Sequence, residues 1–476
     1  MLPVSKVRCL PRFTGFAFVS GLLLFVIGCG SGPSGNTHTT LLITSTNDAK
    51  IPIFRFNLQD VTLIAKDGKS TPVLTTPQVV ELGSINGVAR PLVTLDIPRG
   101  TYSSVKLTYG SSIFAVIDRS GGAGSIDISA YNINTPQNQP VTVEQTLSTP
   151  LVVADLAMGL LLDINIPQST TYTPYFAGTP NLTPDGGQTT FKPVFSLSGI
   201  TPAARPSTLQ DGKVEDVHGL VTASTGGALT ITSDNGTILN FTTSSSTTFA
   251  GADGSTASPI GSFVDIDAAL QADGSMLATH VQTEAIAQKY DMIGQVIQYT
   301  LQRYISNMGR AQQGPDLPNG TGFLGDNVEF SPTALFDIAW PNGTMPTGLP
   351  FTPTLSPAAI VPGQNLATPL DALQVSNVIP LTSFVTLEPQ TIDGTVTGTS
   401  TVNGQTSYTV NLFADDFIPL FGPSSTVVIY ATAETHTITT SALASGSVGR
   451  FRGLLFNDAG TLRMVATEIE DGVPGS

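Results

Sequence analysis

From Thr40 onward, apolar and polar residues alternate with a period of two in short runs, each broken by Gly, Pro, Asn or Asp. This is the pattern of half-buried strands joined by turns. Val61 to Ala65, Lys66-Asp67-Gly68-Lys69 and Thr71 to Leu74 predict strand, turn and strand, and Ser104 to Tyr109 places Val105, Leu107 and Tyr109 on one face. Leu161 to Ile166 and "TFKPVFSLSGI" predict further strands, so residues 40–200 read as a β-sandwich. Beyond a linker at 201–212 the chain repeats itself. Gly219-Leu220-Val221, Gly294-Gln295-Val296 and Gly394-Thr395-Val396 each open a unit, and Val281 to Glu284, Val385 to Glu388 and Val465 to Glu468 each close one. The repeats predict three units built of strands and turns, over 213–288, 289–391 and 392–476.

The first and third units align as "GSFVDIDAALQADGSMLATHVQTE" against "GSVGRFRGLLFNDAGTLRMVATE" with one residue dropped at the turn. The middle unit carries an insertion from about Gly314 to Gln364 that holds nine prolines, expected to be an irregular surface loop. Ile293 to Met308 follows helical spacing, yet the repeat demands a strand at Gly294; a strand is preferred for the first part, with a short helix after it left open. The fold class expected is all-β, an N-terminal sandwich followed by three barrel-like repeats.

The first forty residues depart from this pattern. Phe16 to Ile27 is almost wholly apolar and follows Lys6, Arg8 and Arg12. It is too short for a helix crossing a bilayer core, which needs about 20 residues, and its order is that of a secretory signal. The run ends in Val26-Ile27-Gly28-Cys29, which resembles the lipobox of bacterial lipoproteins. That resemblance implies a leader over 1–28 cut between Gly28 and Cys29 and a lipid on the Cys29 sulfur; the Gly, Ser and Thr that follow read by composition as a flexible tether over 29–39. The same resemblance implies a lipid-anchored place in the cell envelope, at the outer membrane on its periplasmic or surface face. Of the two cysteines, Cys9 falls in the leader, so the processed chain would hold no intramolecular disulfide.

Two further resemblances concern the folded part. "RFNLQDVTLIAKDGK", "LDIPRGTYSSVKL" and "FKPVFSLSGI" together look like an uncharacterised β-sandwich domain of bacterial envelope lipoproteins, marked here by Pro98 to Leu107. Read physically, that marker is a turn at Gly100 feeding an edge of the sandwich, with the Tyr102 ring inside and its hydroxyl on backbone. The repeats resemble small envelope β-barrel domains without assigned function. Neither resemblance brings catalytic residues.

Charge and chemistry narrow the function. With 20 Lys+Arg against 35 Asp+Glu and a net charge of −15, nucleic acid is not an expected partner. Asp265 and Asp267 alternate on one strand, while the aligned slots of the third unit hold Arg450 and Arg452. Such a reversal is expected of a solvent-facing strand, a weaker reading being that the two units attract each other there. His218 and His280 lack the spacing of a zinc site, Asp234-Asn235-Gly236 reads as a hairpin turn, and Asp415-Asp416 lacks calcium-loop spacing. No Gly-x-Ser-x-Gly elbow or phosphate loop is present. No catalytic residue, metal or cofactor is expected. Tyr172, Tyr175, Phe176 and Trp340 lie in Pro/Gly-rich stretches and are candidate ligand contacts; the plainer expectation is that they pin their own loops. The function expected is a lipid-anchored, non-enzymatic structural or binding module, displayed on a semi-rigid stalk, with an envelope protein or polysaccharide as partner. The alternative is a glycan-binding accessory protein using those aromatics, and an enzyme of unknown type comes third.

Overall fold

The structure is a computed structural model that describes residues 35–47, 51–121, 125–172, 189–203, 209–251, 257–286, 288–300, 304–313, 324–340, 345–372, 379–414, 416–439 and 441–472. Those residues form an all-β protein. Gly28, Cys29, Tyr175 and Phe176 lie outside them.

The N-terminal unit is two packed sheets. One runs in the order Val194–Ile200, Ala157–Asn165, Asn36–Thr46, Arg90–Pro98, and the other Ser125–Ile133, Ser112–Gly121, Ile53–Ala65, Gly100–Tyr109, Val141–Val153. Ser70–Leu74 and Gln78–Glu81 also pair with Ile53–Ala65. Period-two alternation puts Leu41, Ile43, Leu160 and Ile164 of one sheet against Phe54, Val61, Val105 and Leu107 of the other in a single core. The first strand begins at Asn36, so part of the stretch assigned by composition to a tether belongs to the sheet. At Pro98 to Gly100 the chain passes from one sheet to the other. Tyr102 is buried and donates its hydroxyl to the Pro98 carbonyl at 2.7 Å, as the sequence suggests. Its strand, however, lies inside the sheet between Ile53–Ala65 and Val141–Val153, not at an edge.

The three repeats share one strand order. The first strands are Lys213–Thr225, Asp291–Thr300 and Gln390–Val402; the second, Ala228–Ser233, Tyr304–Gln313 and Gln405–Leu412. The third are Ile238–Thr242 with Thr248–Gly251, then Leu324–Ile338, then Thr426–Ile438; the fourth, Ser262–Leu270, Asn365–Ala367 and Val448–Asp458; the fifth, Met276–Ile286, Leu381–Leu387 and Thr461–Asp471. In each unit the third strand runs parallel to the fifth, and the fourth pairs with both first and fifth. This ring closes five strands into a Greek-key barrel of the OB type.

The opening glycines have a physical cause. A Cβ on Gly219 would sit 2.8 Å from the Thr232 carbonyl oxygen, and one on Gly394 would sit 2.5 Å from that of Asn411. Two residues later each first strand carries a bulge, between Val221 and Ala223, Val296 and Gln298, and Val396 and Gly398. Glycine admits the neighbouring backbone, and the bulge bends the strand so that the barrel can close.

The strand preferred for the first part of Ile293 to Met308 is present as Asp291–Thr300, and Tyr304–Gln313 pairs with it in place of the helix left open, because sheet pairing overrides helical spacing. Three expectations change. The Pro-rich insertion supplies a barrel strand, Leu324–Ile338, with Pro332 inside an irregularity between Phe330 and Leu335. The third closing motif is out of register: Val281 and Val385 match Ile469 by strand pairing, because Phe249 faces Val281, Phe336 faces Val385 and Thr437 faces Ile469. Glu284 and Glu388 are therefore equivalent, whereas Glu468 occupies the slot of His280. Finally, the units do not form a stalk. Leu42, Leu161 and Ile200 of the sandwich share a core with the first barrel, Leu454, Phe456 and Val465 of the third barrel share one with the second, and Ile53 and Ala115 of the sandwich pack on Phe417 of the third repeat.

Candidate functional site at a buried acidic junction

Where the barrels meet one another and the sandwich, the structure gathers charged side chains that the sequence scatters over more than 250 positions. The first strand of the first barrel is distorted between Val214 and Val217, and Asp216 sits there with φ +60°, a conformation Asp tolerates better than most residues. Against Ala268 to Ile266 on the fourth strand, the first barrel runs Val214, Glu215, Asp216, Val217. The third barrel runs Gln390, Thr391, Ile392 against Gly453 to Phe451, one residue fewer. The extra residue re-aims the strand and brings Glu215 and Asp216 to the junction.

Asp216 is the hub. Its Oδ2 accepts from Arg90 Nη2 of the sandwich at 3.2 Å and lies 3.4 Å from Arg452 Nη2 of the third barrel. Its Oδ1 faces His218 Nε2 at 3.1 Å, and His218 Nδ1 faces Glu284 Oε1 at 2.8 Å. Arg90 also donates to Asp234 at 2.8 Å, in the Asp234-Asn235-Gly236 hairpin turn. Lys213 reaches Glu215 at 2.7 Å and Glu468 at 3.7 Å. Asp216, His218, Asp265 and Glu388 each present a ligand-type atom within 4.8 Å of the others, and His218, Glu284 and Asp291 form a second such group. All six residues are buried, Glu284 and Glu388 completely. Among the described residues neither carboxylate oxygen of Glu388 has a hydrogen-bond partner, nor has Asp265 Oδ1.

Burial and crowding set the electrostatics. Burial pushes Asp265 up to about 7; His218 opposes this, and Asp216 and Glu284 add to it. Burial and Glu284 hold Glu388 and Asp291 well above the usual carboxylate range, and burial with Asp265 does the same for the half-buried Asp267. Burial alone would lower His218, but Glu284, Asp265 and Asp216 outweigh it and raise it well above its ordinary value. Burial would raise Asp216, but His218, Arg452 and Arg90 pull it below the normal carboxylate range. The junction thus combines an ionised hub with carboxyl groups that resist losing their protons.

Asp265, Arg450 and Arg452 are therefore buried rather than solvent-facing. The reversal of charge between sister strands reflects where each strand docks, not tolerance of solvent. The weaker expectation has a counterpart: Arg452 of the third barrel does meet the first, on Asp216 and, at 3.9 Å, Glu215. His280 stands apart from the four-residue group, against the Thr248 hydroxyl at 2.8 Å. Trp340 is 3% exposed and donates Nε1 to Glu434 across the second and third barrels at 3.1 Å; it offers no exposed platform, because its ring belongs to the core shared by those barrels. Tyr172 is half-buried, its ring 5.5 Å from Tyr131 and 6.0 Å from Phe114. The sequence offered no local spacing for the junction, since its members come from separate units; the signal available was the acidic residues beside the repeat glycines.

Two spaces border the junction. A cavity of about 10 Å³ touches Asp216, Asp265, Asp267 and His280, room for one water-sized group. Another of about 60 Å³ lies between the sandwich and all three barrels, touching Arg90, Asp216, Gln295, Asn365, Gln390 and Asp393. Away from it, a groove of about 850 Å³ separates the sandwich from the first barrel, its wall shared between apolar side chains such as Val73, Leu95, Ile238 and Phe241 and polar ones such as Thr75, Thr94 and Asn240.

No family model matches the chain, and no curated protein matches it. Among solved structures, one described as drosophila Unr CSD456 is similar at 9% identity, covering 54% of this chain and 97% of that chain with a TM-score of 0.13. At that level the likeness bears on neither fold nor function.

Proposed function

We propose that the protein is a lipid-anchored cell-envelope module with a non-enzymatic, structural or binding role. The observation that carries this reading is the use made of its charge. In a chain of which only 12% is charged, Arg90, Asp216, Arg450 and Arg452 are buried at contacts between units, which rigidifies an assembly rather than furnishing an open cleft. Anchoring rests on the leader and Cys29, followed by a short tether into the first strand. The outer membrane is the proposed location. Labelled fatty acid should enter the wild-type protein and fractionate with membranes, and Cys29→Ser should abolish labelling and release or mislocalise the protein. Membrane retention of Cys29→Ser would overturn the anchor.

A polysaccharide partner is the second reading, moved from the aromatics to the groove between sandwich and first barrel, whose Thr and Asn side chains suit hydroxyl groups and whose apolar side chains suit the faces of sugar rings. Purified protein should then retain envelope polysaccharide on an affinity column, and Asn240→Ala should weaken retention several-fold. Equal retention by the variant would remove the groove from consideration.

A further inference from the structure

We infer that the junction holds a divalent transition-metal ion, zinc or manganese, bound by His218 Nε2 and carboxylate oxygens of Asp216, Asp265 and Glu388. Each of the four residues offers a ligand atom within 4.8 Å of the others, so that a central ion with bonds near 2.1 Å would draw them inward. Glu388 is 0% exposed and both its oxygens lack partners. A carboxylate buried in that state carries a large desolvation cost unless a cation faces it. Asp265 Oδ1 is in the same condition at the same place.

The surroundings follow the logic of an orienting outer shell. His218 Nδ1 faces Glu284 Oε1 at 2.8 Å, which fixes the ring, and Nε2, facing Asp216 Oδ1 at 3.1 Å, would exchange its proton for the ion beside that oxygen. Arg90 and Arg452 occupy Oδ2 of Asp216, so Oδ1 is the oxygen turned inward. One imidazole with three carboxylates favours manganese or zinc; calcium and magnesium prefer oxygen donors alone. Because the ligands come from the first barrel and, through Glu388, the end of the second, the ion would join two repeats.

The full processed chain, treated with chelator and desalted, is titrated with manganese, zinc, calcium or magnesium and read by native mass spectrometry and thermal melting. One equivalent of manganese or zinc should stay bound and raise Tm by about 5 °C or more, as for a ligand well above its Kd. Glu388→Gln and Asp265→Asn, which keep side-chain shape, should each lose that equivalent. If a variant does not fold, retention and the chelator-induced fall in Tm of the wild type still decide. Retention of no ion, retention of calcium or magnesium alone, or wild-type retention by both folded variants would each overturn the inference.

Discussion

The first and third barrels place opposite charges in the same two slots. On the first strand, beside the opening glycine, the first barrel has His218 and the third Asp393; on the fourth strand, directly across, they have Asp265 and Arg450. In the third barrel the pair is self-sufficient. Arg450 Nε and Nη2 reach the two oxygens of Asp393 at 2.9 and 3.1 Å, and Nη2 also donates to the Asn47 carbonyl. In the first barrel His218 is shared between Asp216 and Glu284, and Asp265 retains an oxygen without a partner. The second barrel puts Ile293 against Ala367 in the same slots. One fold position thus accepts cation–anion, anion–cation or apolar pairs. What decides among them is the neighbour against which that face is buried, and the bulge at Glu215 and Asp216 gives the first barrel more acid than it can pair.

The comparison can be broken at its hub. Asp216→Asn should cost about 3 kcal/mol or more in denaturant unfolding, since Arg90, Arg452 and His218 lose a shared anion. Combined with Arg452→Met, the losses should fail to add by about 1 to 3 kcal/mol; additivity within about 0.5 kcal/mol would mean the barrels are not coupled there. Backbone spacing gives the next largest effect. Gly453 and Ala268 occupy matching slots, yet a Cβ on Gly453 would lie 2.1 Å from the Val465 carbonyl oxygen. Gly453→Ala should destabilise by about 2 kcal/mol, and a neutral result would show that the third barrel can relax as the first has.

The pH dependence sharpens the contrast further. Burial, reinforced by Glu215 and opposed by Lys213, raises Glu468 from 4.5 to about 7. Between those values the folded state keeps a proton that the unfolded chain has released, so stability must fall as pH rises from about 4.5 to about 7. Glu468→Gln should flatten that fall by about 1 to 3 kcal/mol, read from unfolding curves at pH 5 and pH 8; an unchanged slope would assign the pH dependence elsewhere. The smallest change is expected far from the junction, in the sandwich. Tyr102→Phe removes one hydrogen bond to Pro98 and should cost about 1 kcal/mol without altering the pH slope.

Strand content and the opening glycines were legible because period-two alternation and close backbone approach are local properties. The bulge that follows each glycine was not, since it shows only in pairing. The Val-x-x-Glu recurrence at Val465 misled because the hairpin of the third barrel is longer: Leu455 pairs with Met464, whereas Leu270 pairs with Met276 directly across the shorter turn. Asp265 and Arg452 could not be read as buried, because alternation says which side of a strand a residue takes but not whether another barrel covers that side. Trp340 was misplaced for the same reason, its cover coming from Glu434 of the next repeat.

The bond from Arg450 to Asn47 spans 403 positions, and one from Thr391 to the Asn86 carbonyl spans 305. Such contacts impose an order on assembly. A chain made or exported amino end first completes its sandwich long before the partners of Asn47, Ile53 and Ala115 exist, and those groups wait for the last repeat. Loss of the final barrel by truncation would therefore injure the earliest unit as well, uncovering its apolar side and unpairing its loops. The contacts that seal the sandwich are thus the ones its chain supplies last.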